Sequence, residues 1–148
     1  MQRIIYPIIN LNNTDKVKDL KLYITQLEKW IILTLAELAV HAFTIQGKVG
    51  IWVKNSRNIE SKIGTIGIKV RKQDTYHGIA VNISPNLDNY SGIIPCGIND
   101  FPITSLEDMG INISMTEFDI IMGMLFVVIM IGLAYSAKPP QGGCGCRL

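Results

Sequence analysis

The hydrophobic period changes partway along this chain, and that change narrows the fold more than any other feature. In "KVKDLKLYITQLEKWIILTLAELAVHAF", which starts at Lys16, the residues Val17, Leu20, Ile24, Leu27, Ile31, Leu35 and Leu38 recur at helical spacing. Thr14 or Asp15 is placed to cap that helix, and His41 to close it as a cationic end or a surface residue. Further on the pattern shortens. "VGIWV", "SKIGTIGIKVRK" and "TYHGIAVNIS" read as strands, the last two as a hairpin joined by the polar "RKQD". A one-striped helix and a set of strands must each bury an apolar side on the other. The predicted class is therefore α+β, a mixed or antiparallel sheet with flanking helices. "RIIYPIINL" predicts another strand, at an edge or ended by Pro7, which has no N–H to donate. "TSLEDMG" predicts a short capped helix closed by Gly110.

The chain has 148 residues, enough for one domain with a real core. A net charge of +2, without a basic stripe, argues against a nucleic-acid partner. Three cysteines cannot all pair within the chain, and "MQRIIYPIINLNN" lacks the pattern of a signal peptide. The expected setting is reducing and cytoplasmic. Cys144 and Cys146 form a C-x-C pair, too few thiolates for a structural zinc site. No metal is expected. Gly145, not a cysteine, is fourth from the end, so there is no prenylation box.

No charge occurs between Asp119 and Lys138. As a helix, residues 120–137 would span about 27 Å, close to a bilayer's hydrocarbon thickness. Two fates are open: a membrane contact, or burial in the core or an oligomer. The expected organisation is a folded domain over 1–119, an apolar helix over 120–137 and a flexible tail over 138–148.

Cys96 stands alone in "SGIIPCGIND", between Pro95 and Gly97. At its ordinary pKa near 8.5 only about 3% of a thiol is thiolate at pH 7, and a nearby ammonium raises that fraction. Lys54, Lys62, Lys69, Lys72 and His77 are the candidate cations. Lys62 opens "KIGTIG", whose glycines let a ligand approach the backbone. His77 is either a general base or a hydrogen-bonded structural histidine.

Taken together, "GIWV", "SKIGTIGIKV", "TYHGIAVNI", "SGIIPCG" and "ITSL" resemble the lipoyl(octanoyl) transferase family, including the 34-residue step from Lys62 to Cys96. The resemblance covers about residues 2–119. It implies a fold like the biotin/lipoate protein ligases, a mixed sheet flanked by helices. It implies movement of an octanoyl group from acyl carrier protein onto a lysine of a lipoyl domain. The acceptors would be the lipoyl domains of 2-oxoacid dehydrogenase complexes and the glycine cleavage H protein. Carried over by position, Cys96 is the acyl-thioester nucleophile and Lys62 lowers its pKa. Thr65, Ile66 and Gly67, with Gly78, Ile79 and Ala80, would bind the acyl chain, Ile66 and Ile79 lining a slot for it. No cofactor is implied, because the acyl group arrives activated.

Family members carry an arginine–glycine–glycine segment and a histidine–glycine–proline–glycine–glutamine loop before the "YPI" strand. This sequence starts at Met1–Gln2 and turns apolar after Asp119, where the family continues in a polar helix. The fold is thus expected to be incomplete at its N-terminal side. Two functional expectations follow: an octanoyltransferase, or a non-catalytic remnant of one that either folds poorly or associates with a membrane through 120–137. An ATP-dependent lipoate ligase fits less well, since that relative works without the cysteine of "IPCG".

Overall fold

The structure is a computed structural model that describes residues 1–11, 20–87 and 102–135, the side chains of 129–135 excepted. The expected cap at Thr14 or Asp15, Val17, Cys96 and the tail 138–148 lie outside the described residues.

Helix α1 spans Leu20–Glu37, and its buried stripe is Tyr23, Leu27, Trp30, Ile31, Thr34 and Leu35. Leu27, Ile31 and Leu35 were expected there; Ile24 and Leu38 pack half-buried beside the stripe, and Leu20 is exposed. Tyr23 and Thr34 enter the core because their hydroxyls find partners. Tyr23 donates to the Pro7 carbonyl at 3.1 Å and Thr34 to the Trp30 carbonyl at 2.9 Å. Burial pushes the Tyr23 hydroxyl above its ordinary pKa.

The helix stops earlier than its pattern predicts. The Val40 N–H reaches back to the Leu35 carbonyl at 3.0 Å and the Ala39 N–H to Ala36 at 2.9 Å, with Ala39 at φ 58°. This is a Schellman end with alanine in the left-handed position that glycine favours. Ala39→Gly is expected to raise stability by about 1 kcal/mol, read as a higher urea midpoint; a lower midpoint would contradict it. The early stop frees Ala42–Ile45 to form β2, a strand the helical pattern hides.

The sheet contains β1 (Gln2–Ile5), β2 (Ala42–Ile45), β3 (Lys48–Lys54), β4 (Glu60–Arg71) and β5 (Asp74–Asn82), in the order β1-β5-β4-β3-β2. All neighbouring strands are antiparallel; a parallel bridge from Lys62 to Ile103 gives the sheet its mixed character. The expected hairpin is β4–β5, turning at Lys72–Gln73. β1 is shorter than expected. Past Ile5 the chain is held instead by Thr75, whose hydroxyl accepts from the Ile9 N–H at 3.0 Å and lies 3.2 Å from the Pro7 carbonyl.

Residues 106–110 form a turn rather than the expected helix. The Ser105 hydroxyl accepts from the Asp108 N–H at 3.1 Å, and Gly110 closes the turn at φ 82°. Helix α2 then spans Met115–Tyr135. It opens on a capping box: Glu117 accepts from the Ser114 N–H at 2.9 Å and from its hydroxyl at 2.6 Å, and the Glu117 N–H donates to that hydroxyl at 3.2 Å. The Ser114 hydrogen bonds hold the Glu117 carboxyl below its ordinary pKa. The folded state therefore binds fewer protons there, so this contribution is present at neutral pH and fades as pH falls through the lowered value. Ser114→Ala is expected to cost about 1 kcal/mol at pH 7 and less in acid, measured by urea unfolding; an equal cost at both pH values would remove Glu117 from the cap.

The charge-free run is the body of α2. Phe118 is fully buried, and Met122 and Leu125 pack against the core. The Trp30 indole N–H donates to the Met122 carbonyl at 2.9 Å, and its ring lies 4.9 Å from that of Phe126. Arg3 of β1 meets Asp119 at 2.6 Å. Ile120, Met124, Val127 and Val128 face outward. Among the described residues no helix is long and apolar enough to cross a membrane. Of the two fates open to residues 120–137, the described part shows packing: the helix lies against α1. Both helices cover one face of the sheet, over Ile51, Val53, Ile66, Ile79 and Val81.

Candidate active site

The other face of the sheet holds the candidate site, and a bulge decides which side chains reach it. Side chains alternate along a strand. Gly64 and Ile66 point to the helices, so an unbroken β4 would send Lys62 there too. Instead the pairing jumps from Ile51↔Gly64 to Trp52↔Lys62, which inserts Ile63 as an extra residue. Ile63 stays in the core at 0% exposure. Lys62 crosses to the open face beside Trp52.

Lys62 is 7% exposed, and its Nζ lies 4.8 Å from the Trp52 ring centroid. Its backbone is gripped by the segment that follows Cys96 in sequence: the Lys62 N–H donates to the Pro102 carbonyl at 2.9 Å, and the Thr104 N–H to the Lys62 carbonyl at 3.1 Å. Asn82 locks that segment, donating to the Thr104 carbonyl at 2.9 Å and accepting from the Leu106 N–H through its own carbonyl at 3.1 Å. Gln2 in turn donates to the Asn82 side chain at 2.9 Å. Cys96, six residues before Pro102, lies outside the described residues, as do Pro95 and Gly97.

Thr65 and Gly67 pair with Ala80 and Gly78 on this open face. Thr65 and Gly67 are exposed, and a Cβ on Gly67 would meet nothing within 4 Å. The strip beside Lys62 is therefore a shallow floor of small residues. The expected slot walls are corrected here: Ile66 and Ile79 belong to the core beneath, at 7% and 0% exposure, and only their backbone borders the open side. Gly78 has a packing reason of its own, since the Ile5 carbonyl occupies the space of its missing side chain. His77 is exposed at φ 66°, opposite Ile68 and 5.1 Å from the Tyr76 ring. That is roughly 20 Å along β4 from Lys62, so the structure does not bring the two together. Lys54, Lys69 and Lys72 are exposed, which leaves Lys62 as the buried cation among the expected ones.

Trp52 and Gly50 were read from the sequence as part of a strand and of the "GIWV" stretch, without a role in the site. A contact across two strands leaves no mark in the spacing of either one. Among the described residues no group of His, Cys, Asp or Glu forms a metal site.

Comparison with known proteins places this geometry. Residues 1–123 match the family described as lipoyl protein ligase A/B catalytic domain. The octanoyltransferase of Rickettsia bellii is 52% identical over 128 residues, covering 86% of this chain and 61% of that protein. The octanoyltransferase of Rickettsia peacockii is 53% identical over 118 residues, 80% of this chain and 56% of that one. The chain thus spans a little over half the length of these relatives. Among solved structures, apo biotin protein ligase from Aquifex aeolicus superposes with a TM-score of 0.63 at 14% identity, covering 90% of this chain and 55% of that one. A lipoate protein ligase from T. acidophilum, described as putative and holding lipoic acid, superposes at 0.60 and 14%, covering 88% of this chain and 50% of that one. The fold and the family model agree: this chain belongs to the lipoyl protein ligase A/B catalytic domain family.

Proposed function

We propose that this chain carries the thioester half of an octanoyltransferase, moving an octanoyl group from acyl carrier protein to a lysine of a lipoyl domain. The supporting observation is the buried Lys62 ammonium, turned by the β4 bulge onto a floor of small residues, with the segment that follows Cys96 bonded on both sides of it. The octanoyltransferase names of the Rickettsia relatives support the same reaction.

In this reading the Cys96 thiolate attacks the carrier thioester carbonyl. The carrier sulfur leaves and takes up a proton, and the acyl group rests on Cys96. Thioester exchange is near-neutral, so loading is reversible. The acceptor lysine, as a free amine, then attacks the Cys96 thioester. An amide forms, the amine loses a proton, and Cys96 returns as thiolate beside Lys62. Each buried methylene of the octanoyl chain contributes about 0.8 kcal/mol to holding it.

Intact-mass analysis after incubation with octanoyl acyl carrier protein tests the proposal. One octanoyl group is expected on the wild-type chain and none on Cys96→Ser. An adduct that survives Cys96→Ser places the nucleophile elsewhere, and a folded wild-type sample without any adduct ends the proposal.

A further inference from the structure

We propose that Trp52 is a positioning residue for Lys62: its indole face fixes the ammonium on the open side of the sheet without cancelling its charge. The inference rests on the transferase reading above. Trp52 is 1% exposed, yet its ring stands apart from the hydrophobic core formed with the helices. It lies on the opposite face, and its register partner is Lys62. The 4.8 Å from Nζ to ring centroid falls within cation–π range.

A lysine at 7% exposure needs something to offset its lost hydration. Among the described residues it forms no salt bridge. A carboxylate would hold the ammonium firmly, but the pair's combined field at a neighbouring sulfur would be small. An indole quadrupole attracts the cation and carries no net charge. The full field of the ammonium then remains available to a thiolate. Gly50, two residues before Trp52, leaves room for the arrangement: a Cβ there would lie 3.1 Å from Lys62 Cε and 2.9 Å from the Gly64 carbonyl. Bare backbone is required where the lysine stem crosses β3.

The test uses the full chain with Cys144→Ser and Cys146→Ser, so that Cys96 is its single thiol. The rate of iodoacetamide alkylation is followed against pH. Tryptophan is replaced biosynthetically by mono-, di- and trifluorinated analogues, which keep the ring's shape and weaken its quadrupole. The midpoint of the profile is expected to climb stepwise with fluorination, by about one pH unit in all, a tenfold fall in the thiolate-to-thiol ratio. The same labelling in Trp52→Phe, where only Trp30 carries fluorine, is expected to leave the midpoint unmoved. Unlabelled Trp52→Phe should fall between the wild type and Trp52→Leu. A midpoint constant across the fluorinated series, while Lys62→Met shifts it, overturns the positioning role alone. A midpoint that Lys62→Met leaves in place removes Lys62 from favouring the thiolate and overturns the inference with it, whereas a missing octanoyl adduct on the wild-type chain overturns the transferase reading itself.

Discussion

Lys62→Met is expected to slow octanoyl loading of Cys96 about twentyfold at pH 7 and less than about twofold at pH 9. The magnitudes follow from ionisation. Without a neighbouring cation a thiol is about 3% thiolate at pH 7 and roughly three-quarters thiolate at pH 9. An ammonium in contact keeps most of it ionised at both. The variant therefore loses nearly the whole advantage at neutral pH and little in alkali. Methionine keeps most of the buried stem, so the packing against Trp52 and Gly50 is largely retained. Stability should hold or rise, because an ammonium with no carboxylate partner among the described residues leaves the interior. Stopped-flow loading with an octanoyl thioester at the two pH values decides it. Equal slowing at both would mean that Lys62 does something other than favour the thiolate.

The second large effect is structural. Gly78→Ala is expected to destabilise the fold by about 4 kcal/mol or more. A Cβ at this position would lie 1.6 Å from the Ile5 carbonyl oxygen and 3.1 Å from the Tyr6 Cα. Both are backbone atoms, so no rotamer change relieves the overlap. β1 would have to move away from β5, giving up the pairing of Gln2–Ile5 with 79–82 and straining the contact of Arg3 with Asp119 on α2. Gly67→Ala, across the ladder, should be nearly silent for stability, since its side-chain space is open. Urea unfolding of the pair separates them, and a Gly78→Ala cost below about 1 kcal/mol would show that β1 is not held where the structure puts it.

Much of this was legible from the sequence. Helical spacing located Leu27, Ile31 and Leu35, because a stripe every three to four residues has one solution. The β4–β5 hairpin followed from two alternating runs around a polar turn. The motifs around Lys62 and Cys96 carried the family. β2 was hidden, because "VHAFTI" continues an apolar pattern and only the Val40 and Ala39 hydrogen bonds end the helix before it. The outward turn of Ile120, Met124, Val127 and Val128 and the inward turn of Phe118, Met122 and Leu125 depend on where α1 lies, which no run of apolar letters specifies.

What the sequence by itself determined is the inventory: a one-striped helix, a glycine-bearing hairpin, a lone internal cysteine and a lysine at the head of a strand. What only the tertiary structure decided is the side of the sheet on which that lysine works. Strict alternation would have buried Lys62 with Ile66 under the helices. One inserted residue, Ile63, reverses it and sets the ammonium against Trp52. A bulge is a mismatch in register between two strands, so neither strand's own sequence contains it.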